Sequence, residues 1–107
     1  MKWTLFLDDE RHPVRHDRDV WIARTSLEAI DLIKEKGCPT IMLLDHDLGY
    51  GDDVTSIFYP RFVALILDGE VRFPEGFKCH VHSMNPVGAE NLRSKIACLH
   101  REMLSRH

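Results

Sequence analysis

The sequence predicts a single α/β domain with a short, mostly parallel sheet flanked by helices. Three observations carry this reading. Apolar runs of strand length recur along the chain: "WTLFL" (3–7), "VWIAR" (20–24), "TIMLL" (40–44) and "FKCHVHS" (77–83). The segments after the second, third and fourth runs carry helix signals, each with its own start or stop residue. Strands alternating with helices imply parallel pairing through right-handed crossovers. At 107 residues the chain has the size of one domain with one core, and 1–107 shows no internal repeat or linker.

Taken in order, residues 3–7 form a short buried strand that stops at Asp8-Asp9. The next stretch, "ERHPVRHDRD", holds a proline and no apolar periodicity, and is read as loop. Residues 20–24 are β-branched and aromatic, hence a second strand. Thr25 then caps a helix, with Glu28 completing a capping box, Leu27, Ile30 and Ile33 facing the core, and Gly37 ending it. Residues 40–44 are apolar without alternation, which predicts a central strand covered on both faces. Residues 49–59 are polar and give no clear element. Pro60 opens a short helix through Leu67, closed by Gly69. In 77–83, Phe77, Cys79 and Val81 alternate with Lys78, His80 and His82, so this strand has one less apolar face. Asn85-Pro86 starts a last helix striped by Leu92, Ile96, Leu99 and Met103.

The net charge of −3 gives no global positive field, so bulk duplex nucleic-acid binding is not expected. The basic run "RHPVRHDR" (11–18) is the local exception, and a solvated loop accounts for it. Cys38, Cys79 and Cys98 are odd in number and lack CxxC spacing, which argues against a disulfide framework or a cysteine zinc site. Cys79 and Cys98 fall on apolar periodicities and are expected in the core. No apolar run reaches membrane-spanning length, and the N-terminus meets acid too early for a signal peptide. A cytoplasmic, reducing location and no membrane partner follow as expectations.

In sheets of this kind ligands bind beyond the carboxyl ends of the strands. Those ends read Asp8-Asp9, Asp45-His46-Asp47 and His82-Ser83, so every candidate chemical group falls on one edge. Asp8, Asp9 and Asp45 would repel one another in a partly dry cleft unless a cation neutralises them or one of them holds a proton. Hard oxygen ligands favour Mg²⁺, or Mn²⁺, which takes phosphate oxygens as further ligands. Arg11 can pair with Asp45 or clamp a phosphate. His46 and His82 suit acid–base work, whereas His80, deeper on the same strand, is expected to be structural. Ser83 precedes a helix N-terminus, and Asn85 is both a possible ligand contact and the helix cap.

"LFLDD", "LLDHDL" and "HVHS" resemble the first, third and fourth strand ends of the receiver fold, a flavodoxin-like domain. The resemblance implies two acids on Mg²⁺, a central Asp that accepts a phosphoryl group, and a Ser or Thr that contacts it. More specifically, "LFLDDERHP", "LLDHDLG" and "HVHSMNPVG" together resemble the cyclic-phosphate-processing receiver domain. That branch is associated with RNA-repair enzymes, which implies action on RNA-terminal 2′,3′-cyclic phosphates. Taken with the reading of the residues, the expected roles are Asp8, Asp9 and Asp45 on the metal, Asp45, His46 and His82 in catalysis, and Arg11, Ser83 and Asn85 at the substrate. The implied partners are an RNA end or small phosphoester and RNA-repair enzymes. The first crossover helix and the fifth strand, with its phosphoryl-pairing Lys, are reduced or missing. This departure argues against two-component signalling. The alternative is a non-catalytic receiver-like signalling or protein-interaction module with a relic acidic pocket.

Overall fold

The computed structural model describes residues 2–11, 19–49 and 51–106; most of the basic run and of the loop between the first two strands lies outside them. Four strands, β1 (Thr4–Leu7), β2 (Val20–Ala23), β3 (Ile41–Asp45) and β4 (Lys78–His82), form one sheet in the order β2-β1-β3-β4. All three strand pairs are parallel. The helices are α1 (Ser26–Lys36), α2 (Phe58–Leu67) and α3 (Pro86–Ser105). This is a compact α/β fold of the receiver-like, reduced flavodoxin-like kind, and its sheet has no fifth strand among the described residues.

Register decides which side chains share a face. Leu5 and Leu7 stand beside Met42 and Leu44, which stand beside Cys79 and Val81. Buried residues from all three helices join these leucines in one cluster, among them Ile30 and Ile33, Phe58 and Phe62, and Leu92 and Ile96. Burying each such side chain contributes about 1.5–3 kcal/mol, so this layer dominates stability. On the opposite face Phe6 is buried, while Thr4, Val20, Ile22, Ile41 and Leu43 are half-buried. The two faces of β3 differ in degree: Met42 and Leu44 are fully buried, and Ile41 and Leu43 are half-buried.

The caps explain the helix limits. Thr25 Oγ1 accepts the Glu28 backbone N–H at 3.1 Å, and the Glu28 carboxylate accepts the Arg24 N–H at 2.7 Å, one residue before the cap. Gly37 leaves the helix at φ 87°, a left-handed conformation that favours glycine. Two side-chain expectations fail here. Leu27 is 54% exposed, because the buried stripe is Ser26, Ala29, Ile30 and Ile33, and Leu27 lies about 100° off it. Cys98 is exposed for the same reason, one position short of Leu99. Helix α2 begins at Phe58, two residues before Pro60, which is tolerated in a first turn.

Phe73, Phe77 and His100 form a ring cluster at the far end of α3, with His100 centroids 4.8 and 5.1 Å from the two phenylalanines. Burial lowers the His100 pKa from its ordinary value of 6.5. A depressed histidine favours the neutral folded form, so its stability contribution is intact above that value and is lost as pH falls through the folded one. Wild type is therefore expected to lose melting temperature on acidification from pH 7 to 5, and His100→Phe to lose less. Thermal melts across that range check this.

Candidate active site

Adjacent strand ends assemble the site. Leu7 pairs with Leu44, and Asp45 pairs with His82, so Asp8, Asp45 and His82 leave three neighbouring strands side by side. Asp8 is 1% exposed. Its Oδ1 accepts the backbone N–H groups of Glu10 and Arg11, each at 3.0 Å, and its Oδ2 lies 3.4 Å from His82 Nε2. Burial opposes the charge, yet these two N–H groups and His82 outweigh it and hold the Asp8 carboxyl below its ordinary range. Asp45 goes the other way. Burial raises its pKa, the Asp47 N–H partly offsets this, and the Asp8 and Asp9 charges raise it further.

Oxygens of Asp8, Asp9 and Asp45 all lie within 4.8 Å of one another. Three hard donors at that separation fit one octahedral cation after a small contraction. They line a cavity of about 510 Å³ together with Arg11, His46, His82, Ser83 and Asn85. All eight residues singled out from the sequence thus come to one place. His80 does not line this cavity, and Arg11 makes no ion pair with Asp45 among the described residues. Asn85 caps α3, its Oδ1 accepting the Gly88 N–H at 3.2 Å, and Ser83 Oγ accepts the Asn85 N–H at 2.9 Å. Both polar groups are therefore fixed by the chain itself.

Three residues that shape the site went unnoticed in the sequence. Arg24 donates through Nη1 to the carbonyls of Asp8 and Arg11, at 2.9 and 2.6 Å, and so pins the acidic turn to β2. Asp52 clasps Ser26, accepting from its backbone N–H at 2.9 Å and its Oγ at 2.5 Å, which ties the loop after β3 to the start of α1. Gly88 is the third: a Cβ there would meet His46 Cε1 and Nε2 at 2.8 Å, so the His46 ring rests on the first turn of α3. None of these partnerships has a local signature, because the partners are 13 to 42 residues apart in the chain. Gly49 and Gly51 are legible in the sequence as loop glycines; at φ 73° Gly49 brings the loop beside Asp9.

Gly88→Ala separates packing from position. Alanine is the better helix former by about 1 kcal/mol, so stability is expected to hold or rise while the His46 ring is turned aside. Melting temperature and the His46 ring resonances check the two halves independently.

A family model described as "Cyclic-phosphate processing Receiver domain" matches residues 3–97. No curated protein and no solved structure matches significantly.

Proposed function

The chain belongs to the cyclic-phosphate processing receiver domain family, and on that premise we propose that its acidic cavity opens terminal 2′,3′-cyclic phosphates of RNA. The observation that carries this reading is the approach of three carboxylates within 4.8 Å of one another at the strand ends. A phosphate would be repelled from that cluster as it stands, so the reading includes Mg²⁺ or Mn²⁺ on Asp8, Asp9 and Asp45. When bound, the cation supplies charge neutralisation, polarises a phosphoryl oxygen and favours an attacking oxygen at neutral pH.

The remaining steps fall to the chain itself. Arg11 and the Ser83–Asn85 turn hold the phosphate against the open side of the cavity. Asp45 stands beside the point of attack, and His46 and His82 take up and return protons. Water adds across one ring P–O bond, the ribose oxygen leaves with a proton, and a terminal monoester remains. The protein so read works in the cytoplasm beside RNA-repair enzymes. Its three free cysteines suit a reducing compartment, and among the described residues no helix is long and apolar enough to cross a membrane.

The test is product analysis of short RNAs with 2′,3′-cyclic phosphate ends, with and without Mg²⁺. Metal-dependent conversion to a monoester, lost in Asp9→Asn and Asp45→Asn, is the expected result. Unchanged RNA, with a long-lived phosphoryl adduct on Asp45 after treatment with a small phosphodonor, would favour a receiver-like signalling module instead.

A further inference from the structure

A second cavity, of about 400 Å³, lies between the loop after β3 and the N-terminal half of α3. Its walls include Asp53 and Thr55 on the loop and Asn91, Ser94 and Lys95 on the helix. His46 lines both this cavity and the acidic one, and its ring is seated on Gly88 between them. The imidazole is thus a wall common to the two cavities.

The chemistry of the second cavity differs from that of the first. Its one carboxylate, Asp53, is engaged: Oδ1 accepts the Thr55 N–H at 3.0 Å and Oδ2 accepts Ser56 Oγ at 3.1 Å. The Asn91 carboxamide has no hydrogen-bond partner among the described residues, which leaves a donor and an acceptor for a ligand. Lys95 supplies one cation, its Nζ 5.7 Å from the centre of the Tyr59 ring. Neutral hydrogen-bonding groups close to the shared wall and a single cation beyond them suit a sugar and base followed by an anion. Met84, which also lines the acidic cavity, is 96% exposed, and Val87, three residues on, is 69% exposed. Those side chains offer a ribose no hydrogen bonds.

We propose that this second cavity is a nucleoside subsite, taking the terminal ribose and base of an RNA 3′ end whose phosphate occupies the acidic cavity, with Lys95 meeting the next phosphodiester. The inference rests on the phosphoester reading above and adds the direction in which the strand runs.

The experiment follows backbone amide shifts with Mg²⁺ present and three probes: inorganic phosphate, a nucleoside 3′-monophosphate, and a dinucleotide ending in a 3′-phosphate. Phosphate should move amides around Asp9 and Ser83 only, and the nucleotide should also move Thr55, Asn91 and Lys95. Asn91→Ala should weaken nucleotide binding about fivefold, the loss of one ordinary hydrogen bond, and leave phosphate binding unchanged. Lys95→Gln should weaken the dinucleotide and spare the mononucleotide. Nucleotide shifts confined to the acidic cavity, or spreading to Met84 and Val87 instead, would overturn the subsite and keep the phosphate site. Absence of any shift around Asp9 and Ser83 with all three probes would overturn the phosphate site and the subsite together.

Discussion

Asp45→Asn is expected to raise the melting temperature of the metal-free protein and to erase the further rise that Mg²⁺ produces in wild type. Both halves follow from one crowded cluster. Burial and the neighbouring Asp8 and Asp9 charges raise the Asp45 pKa, so the folded chain holds that proton more readily than the unfolded chain. A raised carboxyl gives stability below its ordinary range that is lost as pH rises through the folded value. Asparagine cannot ionise, so at neutral pH the variant escapes this loss, with a gain of roughly 0.5–2 kcal/mol. A bound cation reverses the balance in wild type. At a hundredfold excess over Kd it stabilises by about 2.7 kcal/mol, which shifts a domain of this size by roughly 10 °C. Thermal melts of both proteins against Mg²⁺ concentration decide the matter. A wild-type curve flat in Mg²⁺ would remove the metal from the proposed chemistry, and a destabilised metal-free variant would refute the crowding argument.

The second large effect concerns the histidines. His82→Gln and His46→Gln are each expected to lower turnover of a cyclic-phosphate end, by roughly 10²–10⁴-fold for a true general acid or base. His82 is the better supported of the two. Its side chain is 37% exposed, so it reaches the cavity, while its Nε2 is 3.4 Å from the nearly sealed Asp8 carboxylate that orients it. His80 lies on the same strand but outside the cavity, and His80→Gln should leave turnover nearly unchanged. Rates and melting temperatures of all three variants separate chemistry from packing. Equal, small rate effects throughout would leave the carboxylates and metal as the only chemistry.

The strands, two of the three helix starts and the meeting of Asp8, Asp45 and His82 were legible in the sequence because each rests on a local pattern. Strand-length apolar runs ending in acid or histidine fix both the element and the side of the sheet its last residue reaches. Thr25 and Asn85 mark their helices as side-chain caps. Helix α2 has no side-chain cap, so its start was displaced toward Pro60, the nearest visible signal. Leu27 and Cys98 show a different limit: a hydrophobic residue one position off the stripe looks the same in composition and differs by a third of a turn in space. The supporting shell was least legible. Arg24, Asp52 and Gly88 act on carbonyls, a serine and a ring supplied by distant parts of the chain, and nothing next to them in sequence announces it.

The strand that carries His82 is also one of the two margins of the sheet, paired with β3 alone among the described residues. An unpaired margin is a template on which another chain can extend the sheet, and hydrophobic margins seed aggregation. Here Lys78 and His80 stand exposed along it, so a second copy approaching edge-on meets charge and hydrated imidazole rather than an apolar ridge. The residues that make β4 look weakly amphipathic thus guard this edge against pairing, leaving the acidic corner of the molecule open to solvent without making it adhesive.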